Sequence, residues 1–170
     1  RYPNLQWQGE GSNKPCLAGD TGHWNDLQWR VLWPPREYQG STALSKNNRS
    51  CVLLVQFRGF TVLLPGDIEM PAEKMLLERL QSPAEIESDV MVVPHHGSKT
   101  STSWPLLQAV DADIYLISYG RHRGYRFPHR YTLERLARKN SPWLGTMKSG
   151  QLTIVSDGST WSLELPFENR

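Results

Sequence analysis

Residues 51–67 read CVLLVQFRGFTVLLPGD and residues 89–98 read DVMVVPHHGS, and the reading of these two stretches decides the fold. In the first, Cys51–Phe57 and Phe60–Leu64 are apolar, strand-sized runs separated by Arg58-Gly59. This predicts a β-hairpin, with Gly59 free to take the positive φ of a tight turn. In the second, Asp89–Val93 is a short, nearly all-apolar strand of the type buried on both faces. Each run then breaks in the same way. The first ends at Pro65-Gly66-Asp67 and the second at Pro94-His95-His96-Gly97-Ser98, so metal-ligand side chains stand just past the carboxyl end of a buried strand. Ligand sites in open α/β sheets favour that end.

Working outward, Pro71–Leu80 carries helix signals: Pro in the first turn, Glu73 at the positive end of the dipole, and Met75, Leu76 and Leu80 on one face. Ser103–Val110 opens on a Ser cap with Pro105 behind it. Ile114–Ser118 is a further strand, Tyr131–Lys139 a helix, and Leu152–Val155 with Thr160–Leu165 a last strand pair around the Ser156–Ser159 turn. Upstream, Leu27–Trp33 alternates as a half-buried strand and stops at Pro34-Pro35; residues 1–26 are turn-rich. Trp29 and Trp33 share one face by that alternation and are expected in the core. Trp24 and Trp104 are the better candidates for stacking on single-stranded DNA. The pattern predicts an α/β fold, a mixed sheet with helices packed on it, occupying residues 1–170 as one domain or most of one.

Composition is that of an ordinary soluble domain: 38% apolar, 21% charged, net charge +2. No apolar run approaches the roughly 18 residues of a membrane span, and the first residues lack a signal-peptide pattern. The piece itself is therefore expected to be soluble. Cys16 and Cys51 are too far apart in sequence for a compact zinc motif, which leaves two buried thiols or one disulfide. Charge gathers between Arg121 and Lys139, where Arg121, Arg123, Arg126, Arg130, Arg135, Arg138 and Lys139 face the lone acid Glu134, with His122 and His129 among them. Such a concentration suits phosphate groups or a polyanion, or is a solvated helix face.

The residue types after the two strands fit hydrolytic metal chemistry. A carboxylate such as Asp67 can bridge two cations, and neutral imidazole binds Zn²⁺ or Mn²⁺. Two such ions can activate water and hold the oxygens of a phosphodiester. Gly97 admits close backbone approach, Ser98, Thr100 and Ser101 offer hydroxyl donors, and Lys99 adds positive charge. A Gly-Asp pair after a strand is commonly a plain turn and a His-His pair can be structural. The two together, joined by one helix, favour a site.

The segments NNRSCVLLVQFRGFTVLLPGDIE and SDVMVVPHHGSKTSTS, with CLAGDTGHWNDLQWRVLWPP upstream, resemble the metallo-β-lactamase-like domain of the ComEC family, inner-membrane proteins of bacterial DNA uptake. The resemblance runs from about Cys16 to Arg135. It implies the C-terminal portion of a metallo-β-lactamase-like αββα sandwich, with a divalent metal centre of two Mn or Zn ions in the complete domain. Asp67 would be the bridging ligand; one of His95 and His96 would bind metal, His96 being the favoured one, and the other would face the substrate phosphate. His95 and Ser98 would steady developing charge, and Lys99, Ser101, Arg121, Arg123, Arg126 and His129 would contact phosphate or DNA. It also implies a Cys16–Cys51 disulfide, in keeping with the periplasmic face of the inner membrane, and a membrane-embedded channel in the same parent protein.

Three features depart from that family, one being that the basic residues around 121–130 exceed what the resemblance leads one to expect, which would favour binding over cleavage. The family's leading HxxxDH cluster is absent from these residues, so the chain is expected to be truncated at the front, and His23 does not replace the cluster. The family's N-x-Y-G-H-P segment stands here as Arg123-Gly124-Tyr125-Arg126-Phe127-Pro128. The leading expectation is a metal-dependent phosphodiesterase acting on the DNA strand that is not imported, with single-stranded DNA as partner. This polypeptide alone is expected to bind metal weakly and to have little activity. The alternatives are a non-catalytic DNA-guiding module with a decayed metal site, and a metallo-hydrolase of small phosphodiesters or phosphocholine esters. Apolar sheet surface left open at the front is expected to favour a dimer.

Overall fold

The computed structural model describes residues 15–39, 41–121 and 126–166. Seven strands form one sheet in sequence order: β1 (Thr21–Trp24), β2 (Leu27–Trp33), β3 (Val52–Phe57), β4 (Phe60–Leu64), β5 (Val90–Val92), β6 (Ile114–Ile117) and β7 (Trp143–Gly145). Pairing is antiparallel from β1 to β4 and parallel from β4 to β7. The parallel strands are joined by α1 (Met70–Arg79), α2 (Trp104–Val110) and α3 (Arg130–Lys139), which lie on one face. A one-turn helix, α4 (Thr146–Ser149), follows β7. The hairpin of β8 (Thr153–Ser156) and β9 (Trp161–Glu164) forms a second sheet against the other face. The α/β mixed-sheet expectation therefore holds, with a helix layer, the seven-stranded sheet and the hairpin sheet stacked in that order.

Two cores follow from strand alternation. Val52, Leu63, Met91, Tyr115 and Ile117 face the helices and bury against Leu76, Leu106, Leu107 and Leu136. Phe60, Val90, Ile114 and Leu116 face the hairpin, where Ile154, Trp161 and Leu163 cover them. That cover is partial: an apolar groove of about 390 Å³ runs along it, lined by Leu27, Val55, Val62 and Val92 among others. Cys16 and Cys51 form a disulfide that ties the segment before β1 to the start of β3. No helix among the described residues is long and apolar enough to cross a membrane.

Three sequence expectations need correction. Trp29 and Trp33 do not share a face. The register slips between Val31 and Trp33, so Trp33 pairs with Val52 and turns into the helix-side core, while Trp29 pairs with Val55 on the other side. The positive φ of the β3–β4 turn falls on Arg58, at 54°, and not on Gly59. Finally, residues 21–24 are a strand. The β3–β4 turn is also a clasp. Gly59 N–H donates to the Gly158 carbonyl at 2.9 Å, and Arg58 donates to the Asp157 carbonyl at 3.2 Å and to Asp26 at 2.9 Å. Gly158 has φ +92°, and a Cβ there would lie 2.7 Å from Arg58 Cβ. Gly158→Ala is expected to cost about 1–2 kcal/mol. Amide hydrogen exchange should show the loss of protection concentrated in β8 and β9, and uniform protection loss would contradict the clasp.

Candidate functional site

The carboxyl ends of β4, β5 and β6 meet at one edge of the sheet, and the sequence-predicted residues gather there. After β4, Gly66 turns at φ +60° and delivers Asp67. After β5, His95, His96 and Gly97 are three successive left-handed residues, at φ +50°, +57° and +76°. For His this conformation costs about 1 kcal/mol or more each and persists only where surroundings hold it. Here His95 N–H donates to the Gly66 carbonyl at 3.1 Å, Ser98 N–H to the His95 carbonyl at 2.9 Å, and His129 N–H to the Gly97 carbonyl at 2.8 Å. The turn splays the two imidazoles, whose ring centres are 6.3 Å apart.

His96 turns toward Asp67. Its Nδ1 lies 2.8 Å from the Ser118 carbonyl, which requires a proton on Nδ1 and leaves the lone pair on Nε2. That Nε2 is 3.7 Å from Asp67 Oδ1, and both side chains are nearly half exposed. A backbone carbonyl that fixes the far nitrogen is the usual support of a metal-binding His. His95 turns the other way. Its Nε2 is 3.4 Å from Asn47 Nδ2, and its buried Nδ1 is 3.7 Å from Glu69 Oε1 and has no hydrogen-bond partner. Glu69 accepts from Thr100 Oγ1 at 2.7 Å, and its own N–H donates to Asn48 Oδ1 at 2.8 Å.

A cavity of about 800 Å³ opens beside His95, lined by Asn47, Ser98, Lys99, Arg126, Phe127 and His129 as well. His129 caps α3: its Nδ1 accepts from Tyr131 N–H at 3.3 Å, so Nε2 carries the proton and is a donor. Five expected residues thus share one space: His95, Ser98, Lys99, Arg126 and His129. Ser101 does not join them. It is fully buried and its hydroxyl donates inward to the Pro94 carbonyl at 2.8 Å, so it shapes the turn and cannot meet a phosphate. Arg121 is exposed and does not line the cavity, and Arg123 lies outside the described residues. Neither tryptophan offered for stacking borders the cavity: Trp24 is at the opposite end of the sheet, beside Leu27, and Trp104 lies 4.4 Å under the Arg138 guanidinium.

Sequence reasoning gave no role to the support beneath the turn. Glu73 on α1 is completely buried and accepts the N–H groups of Thr102 at 2.5 Å and Ser103 at 2.7 Å. Burial pushes its carboxyl pKa up, against those hydrogen bonds and the charge of Arg135. Arg135 in turn donates to the Ser101 carbonyl at 2.9 Å. Asn47 and Asn48 stand in the NNRS run before β3, and two adjacent amides ahead of a buried strand were the available signal.

A metal is the ligand that this donor set brings to mind, and the fit is incomplete. Structural and catalytic zinc sites use at least three protein ligands. Among the described residues no group of three or more His, Cys, Asp or Glu is placed to hold an ion. Asp67 and His96 are two donors and do not make a site alone.

No protein-family model matches the chain. Recombination protein 2 of Haemophilus influenzae is 37% identical over 160 residues, covering 90% of this chain and 19% of that protein. ComE operon protein 3 of Bacillus subtilis is 34% identical over 152 residues, covering 88% of this chain and 19% of its own length. Competence protein ComA of Neisseria gonorrhoeae is 30% identical over 129 residues, covering 76% and 18%. The chain is related to competence proteins. It spans about a fifth of the length of these relatives. Among solved structures, a chain described as a metal-dependent hydrolase from Parabacteroides distasonis overlays 75% of this chain and 55% of its own, with TM-score 0.45 and 14% identity. That likeness is too distant to argue from.

Proposed function

We propose that this chain is the hydrolase-type domain of a DNA-uptake protein, which acts as a metal-dependent phosphodiesterase on the strand that is not imported. The observation that carries it is the approach of His96 Nε2 to within 3.7 Å of Asp67 Oδ1 at the carboxyl ends of two neighbouring strands, with the His96 tautomer fixed by Ser118. The kinship with competence proteins supplies the substrate class, nucleic-acid phosphodiester. On this reading Asp67 and His96 are two of the metal ligands, and further ligands are needed before an ion, Mn²⁺ or Zn²⁺, is held. The chain's own contribution is to bind and orient the phosphate. Lys99, Arg126 and the Nε2–H of His129 supply positive charge and donors around the cavity, and His95 and Ser98 steady charge on the phosphate oxygens. The parent protein would sit in the bacterial inner membrane with this domain on the periplasmic side. The apolar groove on the hairpin face is where the rest of the parent protein, or a second copy, would bury its own apolar area.

The test is cleavage of labelled single-stranded DNA with Mn²⁺ by the parent protein against its Asp67→Ala and His96→Ala variants. Cleavage by the first and none by the variants is the expected result. The 170-residue chain alone is expected to bind Mn²⁺ only on the order of millimolar, since two donors cannot displace enough of the ion's water. Titration calorimetry should show even this lost in Asp67→Ala; tight binding that survives the substitution would refute the assignment. The shortage of donors favours one rival, a DNA-guiding module without catalysis. Salt-sensitive DNA binding by the parent protein, indifferent to EDTA and without cleavage, would establish that instead.

A further inference from the structure

His95 stands between two groups that agree on where its hydrogen sits. On one side is the Glu69 carboxylate, whose Oε1 is 3.7 Å from the buried Nδ1, an atom with no hydrogen-bond partner. An ionised carboxylate can only accept, and a buried polar atom left unpaired is costly. Nδ1 therefore carries the hydrogen and faces Glu69, and a closure of about 1 Å makes that contact an ordinary hydrogen bond. Active-site contacts of this length tighten when a ligand binds. On the other side, an imidazole with its hydrogen on Nδ1 offers a lone pair at Nε2. Asn47 Nδ2 lies 3.4 Å from that atom, so the amide gives it one N–H. An amide has two such donors. The second is left for the cavity, which Asn47 lines. The strap that carries Asn47 is anchored independently of this contact. Its neighbour Asn48 is buried, accepts the Glu69 N–H at 2.8 Å, and takes the Trp33 indole N–H on its carbonyl at 2.7 Å.

We propose that Asn47 is a phosphate-binding donor oriented by His95, and that Glu69 is the positioning residue that acts through His95. The assignment rests on the phosphodiester reading above and adds two residues to it. Glu69 fixes the His95 tautomer, and the tautomer fixes which end of the Asn47 amide meets the cavity. The free amide N–H then donates to a phosphate oxygen, so His95 steadies the phosphate through Asn47. Lys99 acts as a point charge and attracts a phosphate from any direction, whereas an oriented N–H accepts one geometry.

Two measurements on the full chain test this. Proton–nitrogen NMR at about pH 8.5, where an ordinary imidazole is neutral, should show the His95 hydrogen on Nδ1. Glu69→Gln still offers an acceptor and should keep that signature, while Glu69→Leu should shift the hydrogen toward Nε2. Fluorescence anisotropy of a short labelled oligothymidylate, in EDTA and at fixed salt, reads the consequence. Asn47→Ala is expected to weaken binding about tenfold, as for one hydrogen bond to a charged group. Glu69→Leu should weaken it by a similar factor, and Glu69→Gln should bind like the native chain. The two losses share one path, so Glu69→Leu with Asn47→Ala should bind no more weakly than Asn47→Ala alone. A merely structural Glu69 would give losses that multiply. Should Glu69→Leu not fold, the native tautomer and Asn47→Ala decide alone. A native His95 hydrogen on Nε2, native binding by Asn47→Ala, or multiplying losses would overturn the assignment and leave the phosphodiester reading in place. Failure of the native chain to bind the oligonucleotide would sink both.

Discussion

Gly97→Ala is expected to lower the stability of the chain by about 3 kcal/mol, which for a domain of this size is a melting temperature about 10 °C lower. Two independent terms add. The backbone at Gly97 has φ +76°, where an Ala side chain meets the following carbonyl. In addition, a Cβ there would lie 2.7 Å from Pro128 Cβ and 3.3 Å from Pro128 Cα, in a buried position with Ile117 on the far side. Relief requires Pro128 to move. Pro128 stands between Phe127 and His129, both of which line the cavity, and the Gly97 carbonyl holds the His129 N–H at 2.8 Å. The same substitution should therefore reduce DNA binding in protein that is still folded. Gly120→Ala is the control, since that glycine has open space around it and no positive φ. A melting temperature for Gly97→Ala equal to that of Gly120→Ala would refute the account.

What the sequence makes legible is what short-range chemistry decides. The β3–β4 hairpin and the three long helices follow from apolar runs, Pro at helix starts and Ser103 as a cap, and their observed limits differ by a residue or so from the reading. The approach of Asp67 to His96 is legible for the same reason: parallel neighbours put the two strand ends at one edge. β1 is not legible, because an edge strand of mostly exposed residues has no apolar alternation to show. Nor is β7, whose three residues are a strand only because β6 lies beside them. The slip between Val31 and Trp33 is a matter of pairing with β3, and it reverses the side on which Trp33 lies. The supports of the site share that character. Asn47 meets His95 across 48 residues, and Glu73 meets Thr102 across 29. Such contacts belong to the packed chain, and a carboxylate on a helix gives no sign in advance that it will be buried.

Glu73→Ala should be the most damaging single substitution near the site, at about 4 kcal/mol. The native carboxylate takes the N–H groups of Thr102 and Ser103, one on each oxygen. Removing it leaves two buried donors unpaired, at about 1–3 kcal/mol each, and leaves the Arg135 guanidinium, whose Nε already has no partner, without its nearest opposing charge. Thr102 is also a left-handed residue, with φ +61°, and Glu73 is what holds it there. Glu73→Gln keeps the volume and one acceptor but sets an amide N–H₂ against one of the two donors, so it should lose roughly half as much. The pH dependence separates charge from hydrogen bonding. Burial raises the folded-state pKa of Glu73 above its ordinary value, so the folded state holds its proton to higher pH than the unfolded state does. The stability that Glu73 contributes is then fully present below the ordinary carboxylate range, and it declines as pH rises from there to the raised folded value. Glutamine does not titrate. The stability gap between native protein and Glu73→Gln should therefore be widest in acid, narrow through that window, and stay level above it, as read from urea denaturation at successive pH values. A gap that widens with pH would mean that the two backbone donors outweigh desolvation and that Glu73 is held ionised beneath the histidine turn.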